Sequence, residues 1–221
     1  MNYFIVVEGK KVEPHVYNKW ISYLNPKLHP INHISEFKED NYLIFPGYGY
    51  PFYFEVISNA IQDVLHNPII DYLIIGIDSE EMTYEEKYQE IHDFISDYVD
   101  KINIIIIVQH FCIETWALGN RLIIKRNLEN TLLKRYMRYF NVVSNDPELL
   151  PPLEQEQLNR SQFAEKYLRK ALNDRYRNLT YSKNRPGVLL HPKYFHQVKL
   201  RYDKTNHIQS FGKFLDAFKQ S

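Results

Sequence analysis

The chain has 221 residues, 44% hydrophobic and 15% aromatic, enough for one sizeable core with an appended subdomain. Its apolar runs, such as Ile104 to Val108, are far too short to span a bilayer, and its lone cysteine, Cys112, excludes an intramolecular disulfide framework. The net charge is zero, yet residues 1–120 carry 18 acidic and 7 basic side chains, a net of −11, whereas residues 121–221 carry 9 and 20, a net of +11. Such asymmetry suits an acidic site beside a phosphate-binding surface; it also suits two charged halves that attract one another. The first basic residues, Lys10 and Lys11, follow the N-terminal apolar run, the reverse of a signal peptide. A soluble, cytoplasmic protein with no membrane association is expected.

The first 120 residues alternate strand and helix patterns. Tyr3 to Val7 reads as a buried strand that runs into Glu8-Gly9, and Val12 to Leu24 follows at helical spacing until Asn25-Pro26 stops it. Asn41 to Phe45 is a second strand, broken by Pro46-Gly47. Phe52 to Leu65 is an amphipathic helix with Phe52, Val56, Ala60 and Val64 on one stripe. A third strand, Ile69 to Ile77, ends at Asp78. Glu85 to Tyr98 is a helix with Tyr88, Ile91 and Ile95 on its apolar face, Ile102 to Val108 is the fourth strand, and Ile113 to Ile124 begins another helix. Short, almost continuously apolar strands alternating with helices predict an α/β domain over residues 1–125, a parallel four-stranded sheet with helices on both faces. Beyond it, Leu128 to Tyr139 and Ser161 to Arg177 read as helices separated by an extended connector, Asn145 to Leu153. The remaining tail is basic, aromatic and irregular until a short amphipathic helix, Phe211 to Phe218. Residues 126–221 therefore form a basic, mainly helical subdomain, with no internal repeat.

In an open parallel sheet the functional crevice lies outside the carboxyl ends of the strands. Glu8 ends the first strand pattern, with Glu13 five residues on. Asp78 ends the third, followed by Glu80, and in an extended segment residues two apart face the same way. Glu114 lies just past the fourth strand. Gathered carboxylates repel unless a cation balances them, and oxygen ligands without histidine spacing suit a hard ion, Mg²⁺ or Mn²⁺. Such an ion can activate water or clamp the attacking and leaving oxygens of a phosphodiester. The bland alternative for each acidic residue is a turn or a helix cap; Asp78-Ser79, for instance, would start the helix near Thr83.

Other candidates carry less. His15, His110, His191, His196 and His207 show no metal-ligand spacing, and Cys112 reads as a small buried hydrophobe. The 18 tyrosines offer base stacking, but core packing accounts for most of them. No G-x-x-x-x-G-K-[ST] loop is present, so any ATP dependence belongs to a partner.

Glu8-Gly9 after the first strand, with Asp78-x-Glu80 after the third, resembles the signature of the Toprim domain, the Rossmann-like metal-binding unit of topoisomerases, primases, OLD-type nucleases and recombination proteins. The run from Glu8 to Tyr17 further resembles the E-G-x-x-T-E-x-x-Y of RloB-like proteins of bacterial anti-phage systems, with Val12 in place of threonine. Their later S-x-P-x-F-E-x-W segment is similar to Gln109–Trp116, which keeps Glu114 and Trp116 while Gln109 and Phe111 replace serine and proline. Tyr181-Ser182-Lys183 and Ser210-Phe211 also look familiar.

The resemblance implies a Mg²⁺-dependent Toprim endonuclease, the effector of an anti-phage defence system, cutting RNA such as tRNA, or DNA. It implies Glu8 as metal ligand or general acid/base, Asp78 and Glu80 as Mg²⁺ ligands, Glu13 and Glu114 completing one or two metal sites, and Lys183 as a phosphate contact. Related effectors are silenced by an ATPase or a retron-type partner, and a homo-oligomer is compatible with the sequence. Two other readings stand beside this one: a non-catalytic Toprim module that binds nucleic acid or a partner protein, and a housekeeping RNA-maturation nuclease.

Overall fold

The computed structural model describes residues 1–176 and 181–219. Five strands, β1 (Tyr3–Val7), β2 (His29–Ile31), β3 (Asn41–Pro46), β4 (Tyr72–Asp78) and β5 (Ile104–Gln109), form one sheet in the order β2-β3-β1-β4-β5. The sheet is parallel, with Ile5 of β1 set between Ile44 of β3 and Ile74 of β4. It has five strands where four were expected. The addition is β2, three largely exposed residues paired to the edge of β3 that carry no apolar alternation to announce them.

Helices α1 (Val12–Leu24), α2 (Phe52–His66) and α3 (Tyr84–Ile95) connect the strands. Because side chains alternate along a strand, each face of the sheet must be covered separately. On one face Phe4, Val6, Leu43, Leu73, Ile75, Ile77, Ile106 and Val108 meet Tyr53, Ile57, Ala60, Ile61 and Val64 of α2 and Ile91 and Ile95 of α3. On the other, Tyr42 Oη donates to the Asn18 side chain of α1 at 2.6 Å, and Tyr3 packs on Phe218 with ring centroids 5.4 Å apart. The apolar stripe of α3 differs from the expected one. Tyr88 is exposed, and Lys87, only 6% exposed, takes the inward position with Ile91 and Ile95.

The later helices are α4 (Ile113–Ala117), α5 (Thr131–Tyr139), α6 (Arg160–Arg175), α7 (Pro192–Lys204) and α8 (Gln209–Phe218). The helix expected over Ile113 to Ile124 stops at Ala117. Asn120 then accepts from Leu122 N and starts a separate 3-10 turn. Helix α6 packs on α4 and α5, with Tyr136, Phe163 and Tyr167 forming an aromatic cluster. Arg177, the expected end of that helix, lies outside the described residues. Helix α7 stands where an irregular tail was expected. Its inward stripe is Tyr194, Phe195, Val198 and Arg201, and the buried guanidinium donates to the Val142 and Asn145 carbonyls at 2.7 and 2.5 Å.

Contacts group the described chain into two compact units. The first comprises Met1–Ile77, Thr83–Val108 and the chain from Phe214 onward; the second comprises Asp78–Met82 and Gln109–Lys213. Two short segments therefore alternate between units, because the loop after β4 bonds to the loop after β5. No described helix is long and apolar enough to cross a membrane.

Candidate functional site

The first unit carries Glu8 and Glu13. Strand β1 hands over to Glu8, whose backbone N–H donates to Gly76 O at 2.9 Å and so continues the ladder with β4 for one more residue. Glu8 and Glu13 are both buried, at 8% and 7% exposure. Glu13 occupies the first turn of α1, where the helix dipole favours a carboxylate. A β-carbon built at Gly9 would overlap the Glu13 carboxylate, so only glycine lets that carboxylate close over the strand end. This gives the Glu8-Gly9-x-x-x-Glu13 spacing a steric reason. Val12, in the place where the resemblance expects threonine, is the first helical residue and is 2% exposed, an apolar anchor.

Tyr53 of α2 extends the surroundings of Glu8. Burial, then the Glu90 carboxylate and then that of Glu8, push its hydroxyl far above the usual phenol range. Lys87 Nζ reaches this group, donating to Glu90 at 2.6 Å and to Tyr53 Oη at 3.4 Å. Sequence reasoning missed Lys87. Its signal was a lysine in register with Ile91 and Ile95 on the buried stripe of α3.

The second unit carries Asp78, Glu80, Glu114 and Lys183. Two loops are stitched together by three hydrogen bonds: Ser79 N–H to Gln109 O at 2.9 Å, Glu80 N–H to Phe111 O at 2.9 Å, and Phe111 N–H to Ser79 Oγ at 2.8 Å. The stitching turns the backbone sharply and holds Glu80 and Phe111 at φ 50° and 66°, a left-handed conformation that costs energy in non-glycine residues. Asp78 and Glu80 therefore do not lie on an extended segment as expected. Asp78 is the last, 8% exposed residue of β4, and Glu80 is exposed in the turn beyond it. Helix α3 is capped by Thr83, in a reciprocal box with Glu86, so Asp78 and Ser79 do not serve as its cap.

Glu114, 1% exposed in α4, accepts a hydrogen bond from Tyr181 Oη at 2.6 Å. Cys112 feels the charge of the other groups. Its thiol is raised well above its ordinary pKa, by burial first and then by the Glu114 and Asp78 carboxylates, while the Lys183 ammonium opposes them. Two buried carboxylates from separate chain segments thus act on the charge of one thiol, and one lysine acts against them. Behind Glu114, Trp116 Nε1 donates to Ser210 Oγ at 2.6 Å, His110 N–H donates to the same oxygen at 3.2 Å, and the Ser210 hydroxyl donates to Glu148. That network fixes the short helix from which Glu114 projects. The histidines take scattered places: His191 caps α7, His207 Nδ1 accepts from Arg201, and the His110 ring lies against Phe111.

Among the described residues, no three His, Cys, Asp or Glu side chains stand together as a ready metal-ligand set. Asp78 and Glu114, the two carboxylates that both act on Cys112, are hard oxygen donors. They fit Mg²⁺, which is commonly held by one or two carboxylates and takes its remaining ligands from water and substrate phosphate. Compared with family models, curated proteins and solved structures, the chain shows no significant match to any.

Proposed function

We propose that this chain is a Mg²⁺-dependent nuclease of Toprim type, hydrolysing phosphodiester bonds of RNA or DNA. The observation that carries the reading is that Asp78 and Glu114, both buried, and Lys183 all act on the charge of Cys112. Burying two carboxylates that both act on one thiol is costly unless their charge is balanced, and a divalent cation is the partner their chemistry suits. When bound there, the ion supplies positive charge to phosphate oxygens. Tyr181 holds one oxygen of Glu114 by its hydrogen bond and so orients the carboxylate. Lys183, exposed and basic, is the phosphate contact. In the first unit, Glu8 is the acid/base group of the resemblance, and Glu13 is held over Gly9 as its neighbour. By the same resemblance the chain is an effector of anti-phage defence, restrained by an ATPase or a retron-type partner.

Incubation with total RNA and with plasmid DNA, in Mg²⁺, Mn²⁺ or EDTA, tests the reading. Cleavage is expected in either metal, abolished by EDTA and by Asp78→Asn, and strongly reduced by Glu8→Gln. Variants that cleave like the wild type would remove the site assignment. A second reading, a non-catalytic nucleic-acid or partner-binding module, draws on the lack of a three-residue ligand set among the described residues. It expects binding without cleavage under every metal condition.

A further inference from the structure

We propose that Phe45, Tyr48, Tyr50 and Phe52 form a stacking platform for the bases of single-stranded nucleic acid. The proposal rests on the nuclease reading in naming a single strand as its substrate class, and it draws on a different part of the chain. Most aromatic side chains here are core, with Tyr17, Tyr42, Tyr53, Tyr136, Tyr167 and Tyr181 all below 2% exposure. From the end of β3 onward exposed rings follow closely on one another: Phe45 is 44% exposed, Tyr48 51%, Tyr50 67% and Phe52 61%. Four large rings in eight consecutive residues face water, although a folded chain ordinarily buries such surface.

The rings are mounted on fixed backbone. Gly47 N–H donates to Val7 O at 2.6 Å, Gly49 N–H to Glu8 O at 3.0 Å, and Tyr53 N–H to Gly49 O at 3.0 Å. A β-carbon at Gly47 would stand 2.9 Å from Tyr53 Cβ and 3.0 Å from Val7 O, so the segment can approach the end of β1 this closely only as glycine. Tyr48 is held at φ 65°, a conformation unfavourable for a bulky residue, and the result is an outward ring. Tyr50 is braced by the rings of Tyr53 and Phe54, at 6.0 and 6.3 Å between centroids, and keeps its outer surface open.

The chemistry of the patch selects its occupant. No charged residue lies between Asn41 and Phe54, and the cations stand at its margin: Lys10 Nζ lies 5.3 Å over the Tyr48 ring, and Lys11 beside it is exposed. Flat π faces edged by ammonium groups match bases joined by phosphates. Bases in a duplex have their faces covered by neighbours, which selects a single strand. Two of the segment's hydrogen bonds end on Val7 and Glu8, so a base stacked on the platform keeps a fixed distance from Glu8.

Fluorescence anisotropy with short labelled oligonucleotides, one of RNA and one of DNA, and a matching duplex, all in EDTA, tests the platform apart from cleavage. Wild type should bind a single strand over the duplex, and the comparison of RNA with DNA identifies which strand it takes. Tyr50→Ala and Phe52→Ala should each weaken binding by about tenfold or more, and Tyr50→Phe should restore it. These side chains are exposed, so a thermal melt should show the fold unchanged. Wild-type affinity in the alanine variants, equal binding of duplex, or no binding of either strand would overturn the proposal. So would self-association that depends on these rings in place of oligonucleotide binding. Ring-dependent binding without metal-dependent cleavage would leave the platform standing and remove the nuclease. Cleavage that needs Asp78 but is indifferent to Tyr50 and Phe52 would do the reverse.

Discussion

The Glu13 carboxylate closes over Gly9 so tightly that no side chain can be placed at position 9 without moving it. One residue next to the Glu8 strand end thus sets the position of a second carboxylate five residues further on. The relation is local, lying within the turn from β1 into α1, and it can be tested without knowing the substrate.

Gly9→Ala should destabilise the protein only modestly, by about 1 kcal/mol or less, because the new methyl meets the far end of the Glu13 side chain, which can swing aside. Glu13→Ala in the same chain should recover most of that loss, since it removes the group the new methyl strikes. Urea unfolding of the two single variants and the double variant measures the coupling. Additive losses would mean that Glu13 does not occupy the space above Gly9.

Much of this arrangement could be read from local pattern. Strand β1, helix α1 with its limits at Val12 and Leu24, and the acidic residues at 8, 13, 78 and 114 all follow from apolar periodicity and its interruptions. What escaped depends on partners distant in sequence. Helix α7 was hidden because Arg201 stands on its inward stripe, tolerable only because carbonyls of Val142 and Asn145 receive the guanidinium. Lys87 was hidden in the same way by Glu90 and Tyr53. The turn that carries Glu80 away from Asp78 is imposed by Phe111 and Ser79, a pairing of two loops that the D-x-E spacing alone does not contain.

The pair Asp78 and Glu114 makes a thermodynamic prediction. Mg²⁺ should raise the melting temperature of the wild type in proportion to the logarithm of its concentration, because a ligand that binds only the folded state stabilises it by mass action. Asp78→Asn should abolish that dependence and, without metal, should stabilise the chain by about 1 kcal/mol through relief of like-charge repulsion. Differential scanning fluorimetry across a Mg²⁺ series, with EDTA as reference, reads both effects. A clear loss of stability in the metal-free variant would instead make Asp78 a structural hydrogen-bonding residue.

Glu148 gives the protein a stability term that depends on pH. Its carboxyl is 6% exposed, and its pKa is raised from 4.5 to about 7, by burial above all, against the lowering effect of the Ser210 hydrogen bonds. A carboxyl with a folded-state pKa above its unfolded value binds its proton more tightly when folded. The group therefore costs nothing below about pH 4.5, and its cost grows until pH passes about 7, to at most about 3 kcal/mol. Glu148→Gln keeps an acceptor for the Ser210 hydroxyl and cannot ionise. Urea unfolding should find the variant close to the wild type at pH 5 and clearly more stable at pH 8. The difference should be greatest where Trp116 and Ser210 remain native, because Ser210 links this carboxyl to the helix that carries Glu114. A wild type that gains on the variant as pH rises would mean that Ser210 holds Glu148 ionised, and that its two donors outweigh the burial.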